Sequence, residues 1–490
     1  MVKDVTFKLQ LTELRHKKGW DYGKRIMYDA QKKGGILMLI PLRTRLSGLR
    51  WTFVPKSLRF GRQFMSYYNF LLASQHWSAD QIDAYQFERV RLLIRHAYTY
   101  SPFYQKRFAQ IGLQPDDLRS WEDFRRIPYL TRADIRAHSE EIRTDKKTGE
   151  AVIATQTGGT TGAPLRLVRS VSSDKFRMAV EWRTYAMGEV DPFRRKLFVF
   201  GQMAYDETQE PFYFDHRVNG GWIRSYLVDA ARMRMLYDLW RDYRPALVTG
   251  HIEVIRAFIK FVRKEGLAPI STGAIFSIGE AQHLGDHELI REAFSCPLYD
   301  FYGLRENAAS ASDCQHHRMH INAEFTLVEF EKQGRFAADD EPADIIGTNL
   351  HNMAFPMIRY DTGDVGCRAS RRCECDRQLP TMRLLGGRER DLIVTKNHLV
   401  TITHHVPTIV GVSDGIEEIQ FYQPDRERLV IRIKKNEQFS LDDESKIIEA
   451  VRKLTFGELR LSLEYVDTIP RTPLGKFRFI ISDVPQELGG

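Results

Sequence analysis

No segment of this chain is apolar for long enough to cross a bilayer. The longest apolar run near its start, Ile36 to Ile40 with Pro41 and Leu42 after it, falls far below the roughly 20 residues a spanning helix needs. No transmembrane helix is therefore predicted. The run is also short, late and followed by no small-residue cleavage site, so a signal peptide is not expected. Cysteine is scarce, with five in 490 residues. An odd and sparse set argues against a disulfide framework and for a reducing cytoplasm. Internal repeats and low-complexity tracts are missing as well.

An excess of acid is missing too, yet base replaces it at one end only. The formal net charge is +8, but residues 1 to 62 hold 15 Lys/Arg against 4 Asp/Glu, a local balance of +11, and the rest of the chain sums to −3. This leading segment, with Trp20 and Trp51 among its basic residues, has the character of a surface for anionic lipid or nucleic acid. The simpler reading is solvated basic helices packed on the body, or a loosely ordered extension. The slightly negative body speaks against nucleic acid as a partner. The expected location is cytoplasmic, peripheral to the inner face of the membrane if the basic leader makes that contact.

What is present is a globular composition, 43% apolar and 28% charged, at a length that predicts two or three structural units. Residues 63 to 145 read as mostly helical, with Ser78 capping a helix that runs through Leu92, Leu93, Ile94 and Ala97 and with helix ending near Thr144. A strand at Ala151 to Thr155 feeds a Gly/Thr loop, and a strand at Leu165 to Val168 leaves it. Helix and strand then alternate: a helix at Asp174 to Met187, strands at Lys196 to Phe200 and Ala246 to Gly250, a helix at Glu253 to Glu265 and a strand at Gly273 to Ser277. Such alternation predicts an α/β body with parallel pairing. The stretch Ala323 to Phe330 alternates faces with no helix beside it, which predicts a more antiparallel module. After Gly386-Gly387 the chain restarts, with strands at Asp391 to Thr395, Glu418 to Tyr422 and Arg428 to Lys434, a helix at Asp442 to Leu454 and a strand at Leu461 to Val466. The expected fold class is thus α/β, a large multi-layer body with a β-rich module, followed by a small mobile α+β domain. The expected units are a basic extension (1–76), a large domain (77–387) and a small C-terminal lid (388–490).

Several short stretches carry chemistry. Thr157-Gly158-Gly159-Thr160-Thr161-Gly162-Ala163-Pro164 has the composition of a phosphate cradle: glycines let backbone N–H groups turn toward an anion, and threonine hydroxyls add donors. It lies between strands and lacks the Gly-Lys-Ser/Thr ending of a Walker loop. In Asp300-Phe301-Tyr302-Gly303-Leu304-Arg305-Glu306, a ring is available for stacking and a carboxylate for Mg2+. Arg359-Tyr360-Asp361-Thr362-Gly363-Asp364 offers a carboxylate suited to ribose hydroxyls, and Gly387-Arg388 adds a cation at the expected boundary. Near the end, Gly475-Lys476 presents a point charge after a glycine turn.

In order and spacing these stretches resemble the adenylate-forming superfamily of acyl-coenzyme A synthetases, and most closely its phenylacetate-coenzyme A ligase branch with capsule-associated relatives. The resemblance runs from about Trp77 to the C-terminus and includes Ala97-Tyr98, Pro102-Phe103-Tyr104 and Gln420-Phe421-Tyr422-Gln423. It implies that Thr157 to Gly162 bind the β- and γ-phosphates of ATP, and that Gly279 and Glu280 line the adenine side with Tyr302 and Gly303. Glu306 would hold Mg2+, Asp364 the ribose, and Arg388 the ribose and phosphate region. Lys476 would meet the carboxylate and α-phosphate in the first half-reaction and be withdrawn in the second by rotation of the small domain. Three positions depart from the pattern: Ala163 stands where lysine is common, Arg305 where a Ser or Thr meets the α-phosphate, and Arg390 at a hinge that is commonly Asp. Arg305 would replace that hydroxyl bond with a charged one or block the site. The departures define an alternative, a nucleotide-binding relative that has lost catalysis.

Cysteine and histidine form a second constellation. Cys373-Glu374-Cys375 is a C-x-C pair, Cys314 and Cys367 precede it, and His316, His317 and His320 stand beside Cys314. Reduced thiols alone account for such a set. The resembled branch, however, has members with a structural zinc on a Cys and a His six residues apart plus a C-x-C pair, the spacing of Cys314 and His320. The resemblance therefore implies a closed zinc site of Cys314, His320, Cys373 and Cys375, with His317 as the alternative ligand. The expected function is ATP-dependent activation of a carboxylic acid, with transfer to a thiol, coenzyme A. The alternative acceptor is an amine, in polysaccharide or capsule synthesis. Candidates for the acid pocket are Phe200 to Tyr213 and Gly250-His251.

Overall fold

The computed structural model describes residues 54–156, 165–200, 212–215, 217–224, 230–279, 282, 285–386, 393–396, 399–400, 413, 415–469 and 480–484. Trp20, Trp51 and most of Phe200 to Tyr213 lie outside this set. The first described elements are helical. Helix α1 (Arg62–Ser74) buries Phe64, Tyr68 and Leu71. Helix α2 (Ala79–Tyr100) starts at Ser78, whose side chain accepts from the Gln81 backbone while Gln81 bonds back to the Ser78 N–H, satisfying two donors that a helix start leaves orphaned. Its buried Ile82, Gln86, Val90, Leu93, Ile94 and Ala97 form one stripe at helical spacing. Helix α3 (Arg132–Ile142) is capped in the same way by Thr131 and Asp134. Helix extends to Asp145–Thr148, just beyond the expected end.

Strands β1 (Val152–Gln156) and β2 (Arg166–Ser170) pair antiparallel, bracketing the Gly/Thr loop. Ser170 then caps α4 (Val171–Met187), which starts three residues earlier than expected. Helices α1 and α4 pack together: Phe64 and Trp182 meet edge to face at 5.9 Å, and both belong to a core with Phe198, Phe276 and Tyr299. Thus residues 62–74, assigned from sequence to the leading extension, are packed on the body.

The central sheet has 13 strands and two characters. Its parallel half comprises β3 (Lys196–Phe200), β5 (Gly220–Arg224), β6 (Leu247–Gly250), β7 (Ala274–Ile278) and β8 (Leu298–Gly303), in the order β5-β3-β6-β7-β8, with β4 (Phe212–Asp215) antiparallel at the edge. Helices α5 (Ala230–Tyr243), α6 (Ile252–Lys264) and α7 (Asp286–Phe294) supply the crossovers and bury Trp240, Phe258 and Phe294 together against Val248, Ile275 and Leu298. With helices on both faces, these strands read as continuous apolar runs. From β8 onward the sheet turns antiparallel. It continues through β9 (Ser310–Asp313), β10 (Met319–Ile321), β15 (Thr381–Gly386), β14 (Tyr360–Arg368), β13 (Ala343–Asn349), β11 (Thr326–Lys332) and β12 (Arg335–Phe336). The expected strand from Ala323 begins only at Thr326, because the N–H groups of Phe325 and Thr326 both bond to Asn322 O and hold 323–325 as a turn. Between β13 and β14, Asp344 pairs with Val365 and Ile346 with Asp361. Strand β14 therefore spends four residue steps where its neighbour spends two, a bulge centred on Thr362, Gly363 and Asp364.

The C-terminal unit is a separate four-stranded sheet. Strands β18 (Ile416–Gln423) and β19 (Arg428–Lys435) form a hairpin, β20 (Arg460–Tyr465) and β21 (Ile480–Ser482) add parallel at its two edges, and helix α8 (Leu441–Leu454) covers one face. Ile447 and Val451, one helical turn apart, pack on Ile419, Phe421, Ile431 and Ile433. Of the expected strand at Asp391 to Thr395, the first two residues lie outside the described set, and the described part forms β16 (Ile393–Val394), paired with β17 (Leu399–Val400). Gln423 holds Val394 by accepting from its N–H at 2.9 Å and donating to its carbonyl at 2.5 Å. Among the described residues no helix is long and apolar enough to cross a membrane.

Candidate active site and metal centre

The parallel and antiparallel halves of the sheet meet at β8 and β9. In open α/β sheets ligands bind beyond the carboxyl ends of parallel strands where the order switches, and the motif Asp300 to Glu306 occupies that place. Tyr302 donates from Oη to Asp364 Oδ2 at 2.8 Å. Burial, with Asp364 second, pushes the phenol well above its ordinary range, so the group stays protonated and remains a donor. Asp364 sits in the β14 bulge. Thr362 shapes it by donating to Ile345 O at 2.7 Å and accepting the Asp364 N–H at 3.0 Å, while Gly363 takes φ +70°, a left-handed conformation that suits glycine. The residues expected at the adenine and ribose ends are thus hydrogen-bonded to each other. Gly279 closes β7 at φ +77° with open space where a Cβ would be, so the backbone conformation, rather than crowding, favours glycine there.

Replacing Tyr302 by phenylalanine removes a bond to a buried carboxylate, a type worth about 1.5–3 kcal/mol. The variant is expected to lose about that much stability in denaturant titration; an unchanged midpoint would show that Asp364 does not need this donor.

Beneath this site Asp300, the first residue of the motif, meets a second acid, Asp313, that the sequence reading did not find. Ser277 donates to Asp300 Oδ1 at 2.8 Å, and the Asp300 N–H bonds to Asp313 Oδ2 at 3.0 Å. Burial raises Asp300 to about 6 and Asp313 to about 8. Polar residues inside a strand gave no periodic signal by which to find this pair.

Glu306, expected to hold Mg2+, is buried, and its Oε1 accepts from Arg132 Nη2 and Tyr360 Oη, each at 3.1 Å. Backbone bonds explain the meeting: Leu130 N–H donates to Arg359 O at 2.8 Å and Asp361 N–H to Leu130 O at 2.9 Å, tying the start of α3 to the start of β14. Arg132 was not foreseen. Its signal was a cation at the first position of a helix, where the macrodipole disfavours it unless a nearby carboxylate offsets the cost. Arg359, by contrast, points away from the site. It is buried between Glu329 at 3.2 Å and Glu331 at 2.7 Å and donates to Ile127 O at 2.9 Å, so it fastens the helical lead to the sheet.

Beside Glu306 lies a small recess lined by Val168, Arg169, Arg305, Asn352 and Met357. Arg305, in the position expected to carry a hydroxyl, is exposed there. Thr157 to Gly162, Ala163, Glu280, Arg388, Arg390 and Lys476 lie outside the described residues.

The second constellation does assemble. The ligand atoms of Cys314, His320, Cys373 and Cys375 all lie within 4.8 Å of one another. Cys314 Sγ is 3.5 Å from Cys373 Sγ, and Cys375 Sγ is 3.4 Å from His320 Nε2. A tetrahedron of about 2.3 Å Zn–S and 2.0 Å Zn–N bonds has edges of roughly 3.5–3.8 Å. His320 Nδ1 donates to Leu379 O at 3.2 Å, which turns Nε2 toward the sulfurs, the usual support for a metal-binding histidine. The residues therefore fit a structural zinc. His317 is not part of the group; its ring lies 5.3 Å from that of Tyr299 and 4.8 Å from that of His287.

Comparison with known proteins follows the same division of the chain. Residues 392–483 match the CapK C-terminal domain. The phenylacetate-coenzyme A ligase of Aromatoleum evansii is 33% identical over 345 residues, 65% of this chain and 73% of that protein. Protein CapK of Staphylococcus aureus is 21% identical over 375 residues, 73% of this chain and 80% of its own length. Among solved structures, a 2-hydroxyisobutyryl-CoA ligase in the postadenylation state shares the fold, with a TM-score of 0.64 at 18% identity over 84% of this chain and 92% of that one. By its identity to the Aromatoleum protein, this chain belongs to the phenylacetate-coenzyme A ligase family of the adenylate-forming superfamily.

Proposed function

We propose that this protein activates a carboxylic acid with ATP and passes the acyl group to a thiol, that of coenzyme A. The acid's oxygen attacks the α-phosphorus, the bond to pyrophosphate breaks, and an acyl-adenylate forms. The thiol sulfur then attacks the acyl carbon and AMP departs with its oxygen. The observation that carries the reading is the Tyr302–Asp364 bond at the carboxyl end of β8, with the buried Glu306 carboxylate following in the same motif.

In this reading Tyr302 and Gly303 flank the adenine with Gly279 and Glu280, Asp364 takes the ribose hydroxyls, and Thr157 to Gly162 and Arg305 take the phosphates. Glu306 would hold Mg2+, which supplies charge neutralisation for the triphosphate. Arg388 contacts the ribose and phosphate region. The body (77–387) carries these groups, and the small domain (388–490) brings Lys476 to the reacting carboxylate and α-phosphate and later removes it, turning near Arg390. Cys314, His320, Cys373 and Cys375 would hold zinc in a closed structural site. The basic residues ahead of α1 would lie against the membrane surface.

Pyrophosphate release, measured over a panel of aryl, fatty and amino acids with and without coenzyme A, tests the reading. Acid-dependent release that coenzyme A accelerates supports it, and no release with any acid rejects it. Release accelerated by an amine but not by coenzyme A would instead establish an amine as the acceptor. Lys476→Ala is expected to cut acid-dependent ATP–pyrophosphate exchange by about 10²- to 10³-fold, the cost of losing one charged transition-state contact, with the melting curve unchanged. Exchange at the wild-type rate would remove Lys476 from the site.

A further inference from the structure

Arg169 lines the recess beside Glu306. It is the penultimate residue of β2, and the backbone on both sides of it is clamped by a single buried side chain. Asn352 donates to Val168 O at 2.9 Å and accepts from the Ser170 N–H at 3.0 Å. The Arg169 guanidinium lines the same recess as Arg305 and Glu306. Its only ion pair among the described residues is a loose one, Nη2 to Asp174 Oδ1 at 3.4 Å. Asp174 is already engaged by Arg177 at 3.1 Å, which also bonds Glu181 at 3.2 Å. Arg169 Nε is buried with no hydrogen-bond partner among the described residues, and a buried unsatisfied donor costs about 1–3 kcal/mol.

The charges around the recess do not balance. Of the described residues that line it, two are cations, Arg169 and Arg305, and one is a carboxylate, Glu306, which is already paired with Arg132. Arg169 and Arg305 repel each other enough to help lower the Arg169 pKa, after burial and Arg177. A divalent cation on Glu306 would widen the positive excess. An anion with several oxygens offsets that excess, and a guanidinium held by its backbone is well suited to bind phosphate through more than one N–H.

We infer that Arg169 is a phosphate-binding residue, which with Arg305 contacts the phosphoryl oxygens of ATP and of the departing pyrophosphate. The inference rests on the ATP-dependent reading proposed above and adds a residue to it from the β2 side of the recess.

Calorimetric titration of the full-length protein with ATP and with adenosine, each with Mg2+, separates the two claims. Arg169→Met is expected to weaken ATP binding about tenfold, as loss of a charged hydrogen bond does, and to leave adenosine binding unchanged. Arg169→Lys should restore part of the loss and serves as the test if the methionine variant does not fold. ATP binding at wild-type strength in both variants, with wild-type protein preferring ATP to adenosine, overturns the inference and leaves the ATP reading standing. A raised KM for the acid with ATP binding unchanged also overturns it and assigns the anion to the acid. Wild-type protein that binds neither nucleotide would end both.

Discussion

Glu306→Gln is expected to lower acid-dependent ATP–pyrophosphate exchange by about 10²- to 10³-fold and to raise the Mg2+ concentration needed for half-maximal rate. The substitution keeps shape and one acceptor oxygen, so Arg132 and Tyr360, each 3.1 Å from Oε1, retain a partner. What disappears is the negative charge. In a buried site that charge is the group able to draw a divalent cation, and electrostatic contacts of this kind are worth about 3–4 kcal/mol in the transition state. The change also leaves Arg132 without its counter-charge, and an unbalanced buried charge destabilises a fold. Because Arg132 remains partly exposed, water should absorb much of that penalty and the protein should still fold. Wild-type exchange with unaltered Mg2+ dependence would exclude Glu306 as the cation's ligand.

The second large effect is expected on stability. Cys373→Ser should reduce bound zinc from about one equivalent to less than a tenth of one, in protein purified without a nickel column, and destabilise the body by more than about 4 kcal/mol, the range associated with loss of a structural metal. Cys314 lies just past β9, His320 in β10, and Cys373 and Cys375 in the connection from β14 to β15. Without a metal, three thiol-bearing side chains and an imidazole crowd into a space 4.8 Å across, and the β14–β15 connection keeps only hydrogen bonds such as His320–Leu379 and Arg377–Gln315 to hold it to the hairpin it crosses. Wild-type protein with less than a tenth of an equivalent of zinc would show the cluster to be reduced thiols only.

Much of this architecture was legible because local chemistry and tertiary packing agree. Ser78 and Gln81 announce the start of α2, and Leu247-Val248-Thr249-Gly250 reads as a buried parallel strand and is one. The antiparallel half was harder to read. Ser310 to Asp313 is polar yet wholly buried, its hydroxyls satisfied by Asn322, which receives from and donates to Ser312 and donates to Ser310. Such a strand is stabilised by long-range partners that no local pattern encodes. Tyr360 to Asp364 was singled out in the sequence for its carboxylate alone, yet it belongs to a long strand that accommodates those residues as a bulge. The zinc-type cluster was found through the resemblance, and the structure brings its four residues together. Arg132, Asp313 and Arg169 were not found, since each acquires its meaning from a neighbour distant in sequence.

The bulge has a further consequence, one of parity. Strand β14 uses four steps between Asp361 and Val365 where β13 uses two, and the difference is even. Side chains alternate faces with a period of two, so the strand leaves the bulge in phase with the way it entered. Loss of a single residue from Thr362-Gly363 would turn every later position to the opposite face, sending buried Cys367 outward just ahead of the zinc-type cluster. Loss of both would restore the phase and remove only the loop that carries Asp364. Variation in length at this point should therefore come in twos, and relatives that reshape the nucleotide's seat can do so here without disturbing the sheet around it.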